Sequence, residues 1–262
     1  MNERSDIISL SLVQMGSIIG DPESNCRKII DIIGSSDSDI ICFPEASLTG
    51  YTSIGLEKYA LRRDDPLIGM ICGASSEKRI VTVFGFIEKE GEKTMVTQAV
   101  TENGNVSFYR KTHLGHSEKK VFTPGDTIEP ILTGKGNIGI ELCWESHFPE
   151  ISALLALKGA KIILMPFASP LNAKKRVRIW KKYLPARAYD NRVFVAACNL
   201  VDGERGGGAM VIDKEGNILK ENTEQCENIL SVDIDLSCGY GSVNTMHGRD
   251  FLASRRPELY DL

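Results

Sequence analysis

The residue with the clearest chemical potential is Cys143, which stands between an apolar run at 138–142 and a polar turn. The apolar run predicts a short buried strand. Phe148-Pro149-Glu150 predicts the start of a helix, because proline and an acid favour a first helical turn. A cysteine near the positive end of a helix dipole favours its thiolate, which is the nucleophilic form. We therefore treat Cys143 as a candidate nucleophile, against the plainer interpretation of a buried core cysteine.

Two other strand-like runs lead to residues that a thiol catalyst needs. Glu45 follows the apolar run 40–43 and Pro44, and Lys111 follows the alternating run 106–109. Open α/β sheets gather their chemistry at strand ends. A carboxylate can take the thiol proton, and an ammonium can stabilise negative charge on a substrate oxygen. These residue types predict attack of a thiolate on a carbonyl carbon.

Composition narrows the class of protein and of partner. The 262 residues, 42% hydrophobic and 25% charged, are typical of one large globular domain. A net charge of −4 argues against a nucleic-acid partner. No apolar stretch approaches the roughly 18–20 residues of a membrane span, and the polar N-terminus lacks a signal core. Seven cysteines without CxxC spacing fit a reduced cytoplasm and give a metal site little support.

The pattern of the chain predicts strand–helix–strand–helix–strands twice. Two sheets packed face to face with helices outside would bury both halves, and no linker divides them. Asn103-Gly104 predicts a hairpin turn, and Pro185 should kink or restart the last helix. The predicted strands are 7–13, 40–43, 80–87, 94–101, 106–109, 138–142, 162–165, 193–197, 209–212 and 229–232, and the predicted helices are about 21–34, 66–76, 148–158 and 173–189.

Several motifs, in their order along the chain, resemble the carbon–nitrogen hydrolase (nitrilase) superfamily. The motifs are Phe43-Pro44-Glu45 with Thr49-Gly50-Tyr51, Arg110-Lys111-Thr112-His113-Leu114, Phe122-Thr123-Pro124-Gly125-Asp126, and Leu142-Cys143-Trp144-Glu145 with Phe148-Pro149-Glu150. The likeness runs on to 255–260. It implies a four-layer αββα sandwich, an α/β fold, as a single domain over 1–262. It also implies a homodimer or larger even assembly, with the C-terminal tail 238–262 packed on the partner subunit.

The resemblance also implies roles for individual residues. Glu45 would be the general base, Lys111 the lysine that stabilises the oxyanion, Cys143 the nucleophile, and Glu118 a second glutamate of the site. The backbone N–H of Trp144 would join the oxyanion hole, because the residue after such a nucleophile presents its amide to the carbonyl. No metal and no cofactor are implied. The residues predicted to bind substrate or to support the site are Tyr51, Glu118, Trp144, His147 and Phe167.

The predicted activity is that of a cysteine-dependent amidohydrolase. It would cleave a non-peptide C–N bond of a small linear amide or N-carbamoyl amine through a thioester. Hydrolysis of a small nitrile is the alternative reaction. A scaffold or regulator without catalysis is the alternative of another class, and the presence of all three catalytic residue types argues against it.

Two stretches bear on the charge of the substrate. Ser146-His147 stands where family members that clamp a carboxylate carry arginines, which predicts neutral or amine-bearing substrates. The basic run 174–182 is interpreted as the wet face of an amphipathic helix, with Val177, Trp180 and Leu184 inward. The alternative is that one of its basic residues reaches inward and attracts an anionic substrate.

Overall fold

The computed structural model of the chain describes residues 7–203, 205–236 and 255–259. Its regular elements within those residues are β1 (Ile7–Gln14), α1 (Pro22–Ser35), β2 (Ile40–Cys42), α2 (Pro66–Lys78), β3 (Val81–Glu90), β4 (Lys93–Glu102), β5 (Asn105–Arg110), β6 (Ile131–Thr133), β7 (Gly136–Ile140), α3 (Pro149–Leu157), β8 (Ile162–Phe167), α4 (Ala173–Trp180), α5 (Leu184–Asn191), β9 (Phe194–Asn199), β10 (Ala209–Ile212), β11 (Ile218–Asn222) and β12 (Asn228–Asp235). None of the helices in this part of the chain is both long and apolar enough to cross a membrane.

The strands form two six-stranded sheets in the orders β12-β1-β2-β3-β4-β5 and β11-β10-β9-β8-β7-β6. In each sheet three neighbouring strands are parallel, β1-β2-β3 in one and β7-β8-β9 in the other. The strands outside these triplets pair antiparallel with their neighbours. Neighbouring parallel strands run in the same direction, so their carboxyl ends lie along one edge of the sheet. The loops that follow β2 and β7 therefore lie at the carboxyl edges of their respective sheets.

Side-chain alternation along the strands produces the layers. In β2, Ile40 and Cys42 belong to the core between the sheets, whereas the intervening Ile41 packs under the helices α1 and α2. In β8, Leu164 faces the other sheet and Met165 faces the helices on its own side. The result is the expected four-layer αββα sandwich in a single domain.

Local signals in the sequence predicted several boundaries. The Asp21 carboxylate accepts the Ser24 N–H at 3.0 Å at the start of α1, with Pro22 as its first residue. Asn103 and Gly104 both take positive φ, 48° and 80°, in the two-residue turn that joins β4 to β5.

Other predicted boundaries were wrong. The single range 173–189 was wrong because it holds two helices, but the restart predicted at Pro185 is confirmed, since this residue lies in the first turn of the second helix. The short strand β6 and the largely exposed strand β11 were not predicted, because neither offers an alternating apolar pattern. Of the tail 238–262, only 255–259 is described and carries a short turn, so the expected packing on a partner subunit lies outside the described residues.

Candidate active site

The turn after β2 fixes the position of Glu45. Phe43 donates its N–H to the Val83 carbonyl oxygen at 2.7 Å, which continues the sheet to the edge of the turn. Ala46 then adopts a left-handed φ of 53°. A Cβ on Gly85 would lie 2.3 Å from the Ala46 nitrogen, so only glycine allows this turn to approach β3. The side chain of Glu45 is 1% exposed.

The backbone of Lys111 extends β5 and is covered by the Phe-Thr-Pro-Gly-Asp motif. Lys111 donates its N–H to the Val96 carbonyl oxygen at 2.9 Å, and its own carbonyl oxygen accepts the Gly125 N–H at 2.8 Å. A Cβ on Gly125 would lie 2.4 Å from the Arg110 carbonyl oxygen. The motif therefore works as a packing element that secures Lys111, and its glycine is required by close backbone approach.

Four of the predicted site residues form one buried cluster. Lys111 Nζ donates to Glu45 Oε1 at 2.8 Å and to Glu118 Oε1 at 2.6 Å. The Tyr51 hydroxyl donates to Glu118 Oε1 at 2.5 Å, and the Gly115 N–H donates to Glu118 Oε2 at 2.6 Å. Two carboxylates thus share a single ammonium in a buried site, where electrostatic interactions are strong.

The protonation equilibria of this cluster follow from burial and charge. Burial raises the pKa of Glu45 to about 7, and the attraction of Lys111 only partly opposes that rise. Burial also disfavours the charged form of Glu118, but the Lys111 ammonium and three hydrogen bonds outweigh it and lower the pKa of Glu118. The pKa of Lys111 is raised above its ordinary value, because Glu45, Cys143 and Glu118 outweigh its desolvation. Lys111 is therefore a permanent cation, whereas Glu45 titrates near neutral pH.

Cys143 begins a 3-10 turn that spans Cys143–His147, and it has a left-handed φ of 45°. The strand-to-helix turn was predicted correctly, but α3 begins only at Pro149. The expectation of a lowered thiol pKa was wrong, because burial and the Glu45 charge outweigh Lys111 and raise the pKa of Cys143 to about 12. The thiol is thus protonated in the resting protein, and its proton must pass to a base before or during attack.

The residue that sequence reasoning missed is Glu145, which is fully buried. Its Oε1 accepts from the Tyr109 hydroxyl at 2.8 Å, from the Thr112 N–H at 2.7 Å and hydroxyl at 2.6 Å, and from the His113 N–H at 3.2 Å. Its Oε2 accepts the Leu142 N–H at 2.7 Å. Glu145 therefore ties the segment after Lys111 to the turn of the nucleophile. The only signal for this residue in the sequence was its position, two residues after Cys143.

Of the other predicted residues, Trp144 and His147 are exposed and Phe167 is buried. Trp144 is 45% exposed, and its indole lies 5.2 Å from the His147 ring, which in turn lies 5.0 Å from the ring of Tyr183. Phe167 is fully buried at the end of β8 and packs 4.8 Å from the Trp180 ring, under α4. Trp144 and His147 therefore lie at the surface beside Cys143, whereas Phe167 packs in the core under α4.

The interpretation of the basic run 174–182 requires one correction. Val177 and Trp180 are buried, as predicted, and Leu184 is buried in the next helix. Arg176, however, is only 8% exposed, whereas Arg178 on the same helix lies at the surface. The amphipathic pattern missed this residue because arginine is normally a solvent-facing type.

The site offers no evident metal centre. Within residues 7–203, 205–236 and 255–259, no three His, Cys, Asp or Glu side chains gather in a way that could hold an ion.

Comparisons with known proteins show what the chain is similar to. The Carbon-nitrogen hydrolase family profile matches residues 9–239. An (R)-stereoselective amidase of Pseudomonas sp is 28% identical, with 87% of this chain and 86% of that protein aligned. An N-carbamoylputrescine amidase of Oryza sativa subsp. japonica is 27% identical, over 76% of this chain and 72% of that one. A probable nitrilase of Schizosaccharomyces pombe is 25% identical over nearly full lengths, 96% and 97%.

A longer relative and a solved structure complete the comparison. A glutamine-dependent NAD(+) synthetase of Thermotoga maritima is 29% identical over 87% of this chain, which spans only 42% of that protein. The crystal structure of an amidase from Nesterenkonia sp. superposes with a TM-score of 0.81 at 25% identity, covering 96% of this chain and 94% of that one. The chain belongs to the carbon–nitrogen hydrolase family.

Proposed function

We propose that this protein hydrolyses a non-peptide C–N bond of a small linear amide or N-carbamoyl amine through a thioester on Cys143. The observation that carries the proposal is the buried cluster in which Lys111 is bonded to both Glu45 and Glu118. Glu45, Lys111 and Glu118 all act electrostatically on the Cys143 thiol. The amidase relatives support the same reaction class.

Acylation follows from the pKa values of the two partners. Glu45 accepts the thiol proton as Cys143 sulfur bonds to the carbonyl carbon, so that no free thiolate has to accumulate. The Lys111 ammonium and the Trp144 backbone N–H stabilise the oxyanion, and one such donor is typically worth about 3 kcal/mol. The C–N bond then breaks, and Glu45 returns the proton to the departing ammonia or amine.

Deacylation reuses the same base. Glu45 takes a proton from water, and the hydroxide equivalent attacks the thioester carbon. The C–S bond breaks, and the proton on Glu45 returns to the sulfur of Cys143. Glu118 acts through Lys111, because its hydrogen bond and charge hold the ammonium in position throughout both steps.

The direct test is ammonia release across a panel of small amides, N-carbamoyl amines and nitriles, with Cys143→Ala as the matched control. We expect turnover of amides or carbamoyl compounds and no turnover by the variant. A nitrile preference would favour the alternative reaction, which the Schizosaccharomyces pombe relative keeps open. Absence of turnover and of an acyl adduct on Cys143 with every compound would support the non-catalytic scaffold.

We further propose a cytoplasmic enzyme that works as a homodimer or larger even assembly. The support is an apolar surface on α3, where Leu154 and Leu157 are 40% and 50% exposed. Exposed apolar side chains that lie close together are typical of interfaces. Light scattering at micromolar concentration should give an even multiple of the monomer mass, and Leu157→Glu should reduce it. A monomer in the unaltered protein would contradict this proposal.

A further inference from the structure

Arg176 is a buried cation without an anionic partner among the described residues. Its side chain lies in α4, it is 8% exposed, and the described ion pairs do not include it. One Nη donates to the Ser169 hydroxyl, and the buried Nε–H finds no acceptor among the described groups. A buried guanidinium is unfavourable unless an anion pairs with it. The side chain is therefore prepared for a negatively charged ligand.

Packing holds the guanidinium in one orientation. Its Cζ lies 5.4 Å from the centre of the Phe167 ring and 6.0 Å from that of Trp180. Both rings are fully buried, so they restrict the rotamers of Arg176. A planar fork that is already fixed loses little entropy when it binds a carboxylate through two parallel hydrogen bonds.

Arg176 also faces the candidate active site. It donates to the Ser169 hydroxyl, and the preceding residue, Ala168, donates its N–H to Glu45 Oε2 at 3.0 Å. Its charge also reaches the Cys143 thiol and the Tyr183 hydroxyl, where it partly opposes the rise in pKa that burial causes. Tyr183 and His147 are stacked beside the turn of the nucleophile. The guanidinium thus belongs to the wall of the site and not to a remote part of the core.

The distribution of charge around Cys143 gives the site a polarity. Lys111 is already paired with both Glu45 and Glu118. On the side of α4, Arg176 offers a full positive charge. A substrate with a negative end would be repelled by the two carboxylates and attracted by Arg176, which fixes its direction relative to the thiol.

We propose that Arg176 is a specificity-determining residue that binds a carboxylate of the substrate, so that the preferred substrate is an amide or carbamoyl compound with an anionic end. This inference rests on the proposed function and replaces the expectation of neutral or amine-bearing substrates. That expectation considered Ser146 and His147, which follow the nucleophile in sequence. The basic group comes from α4, and Ser169 orients it.

The experiment compares three primary amides of matched length: glutaramate, hexanamide and 5-aminopentanamide. We expect the unaltered protein to favour glutaramate at least tenfold in kcat/KM over each of the others. Arg176→Gln should abolish that preference, chiefly through KM, because a binding contact is lost. Arg178→Gln, on the exposed face of the same helix, is the matched control and should keep the preference.

A merely structural arginine would give a different result. If Arg176 only packs against Phe167 and Trp180, its replacement lowers kcat/KM for the three amides by the same factor, which overturns the inference. Arg176→Lys keeps the charge without the fork and serves where the glutamine variant does not fold. Arg176→Lys should also reduce the ratio of kcat/KM for glutaramate to kcat/KM for hexanamide.

A binding measurement separates this inference from the proposed reaction. With Cys143→Ala protein, glutaramate should raise Tm more than hexanamide does, and the added Arg176→Gln change should remove the difference. If glutaramate raises Tm more than hexanamide does, but the unaltered protein hydrolyses neither compound, the anion site stands and the amidase activity is rejected. Turnover of hexanamide equal to that of glutaramate would leave the amidase standing and reject the anion site.

Discussion

The two halves of the sandwich repeat one strand and helix order but use its turns differently. The turn after β2 carries Glu45 and the turn after β7 carries Cys143, and each contains a left-handed residue, Ala46 in the first and Cys143 itself in the second. The first turn is sealed, with Glu45 1% exposed. The second is open, and Trp144 beside the cysteine is 45% exposed.

This difference separates the buried cluster of Glu45 and Lys111 from the partly exposed turn that carries Cys143. Burial strengthens the ion pair between Glu45 and Lys111, and the desolvation that comes with it raises the pKa of Glu45. In the other half, Cys143 is only partly buried, and Glu145 holds its turn by accepting the Leu142 N–H. A hydrogen bond from the Ala168 N–H to Glu45 Oε2, at 3.0 Å, joins the loops of the two halves.

The largest expected effect comes from the open half. Cys143→Ala should reduce turnover by about 10⁴-fold or more, because no other described group can form the thioester. Ammonia release measures the loss, and circular dichroism should show an unchanged fold. Cys226→Ala, at an exposed position, is the control and should retain full activity. Substantial residual activity in the Cys143 variant would remove the nucleophile from this scheme.

The sealed half should produce a smaller but pH-dependent effect. Glu45→Gln should lower kcat by about 10²–10⁴-fold, because one base serves both steps. In the unaltered protein, the carboxyl with a pKa of about 7 is protonated at lower pH and cannot accept a proton. Activity should therefore fall as pH drops through about 7, and a pH–rate profile tests this. Near-native kcat in the variant would show that Glu45 is not the base.

Loss of the hydrogen bonds of Glu145 should affect stability more than catalysis. Glu145→Ala leaves buried donors of Leu142, Thr112 and Tyr109 without their acceptor, which should cost about 3 kcal/mol in unfolding free energy. Urea denaturation measures it, and Glu150→Ala, exposed in the first turn of α3, is the control. Equal stability of the two variants would contradict the positioning role.

The smallest effect is a change in thiol reactivity. Iodoacetamide should label Cys143 faster than the buried cysteines at neutral pH, because Glu45 helps to remove its proton. Peptide mapping gives the ratio of Cys143 to the exposed Cys226, which serves as an internal reference. Glu45→Gln should lower this ratio by a few fold. An unchanged ratio would indicate that the two turns are not coupled through the proton.

Much of the framework was predictable from local pattern. Apolar runs and alternation placed most strands, and Glu45, Lys111 and Cys143 were candidates because they follow strand ends and match motifs of the family that the chain resembles. Caps and prolines marked the helix starts because these signals act within a few residues. β11 escaped prediction because its residues are mostly exposed, which leaves no periodicity to detect.

The pKa values and the direction of Arg176 were not predictable in this way. The thiol was expected to be acidified by a helix terminus, yet burial beside Glu45 raises its pKa to about 12. Desolvation depends on what packs around a group in space. The N–H that bonds to Glu45, for example, belongs to Ala168, which is 123 residues away in the sequence. Arg176 follows the helical pattern of a basic face, and only the packing of α4 on β8 turns it inward.

The sequence by itself determined which residue types end each strand, where the chain turns, and hence the reaction class that those types can support. Tertiary structure decided which of these groups share a proton, which are sealed from water, and which charge faces the substrate. The physical reason is range: strand periodicity and capping act between neighbours in sequence. Burial and Coulomb interactions act between neighbours in space, which only the packed sheets define.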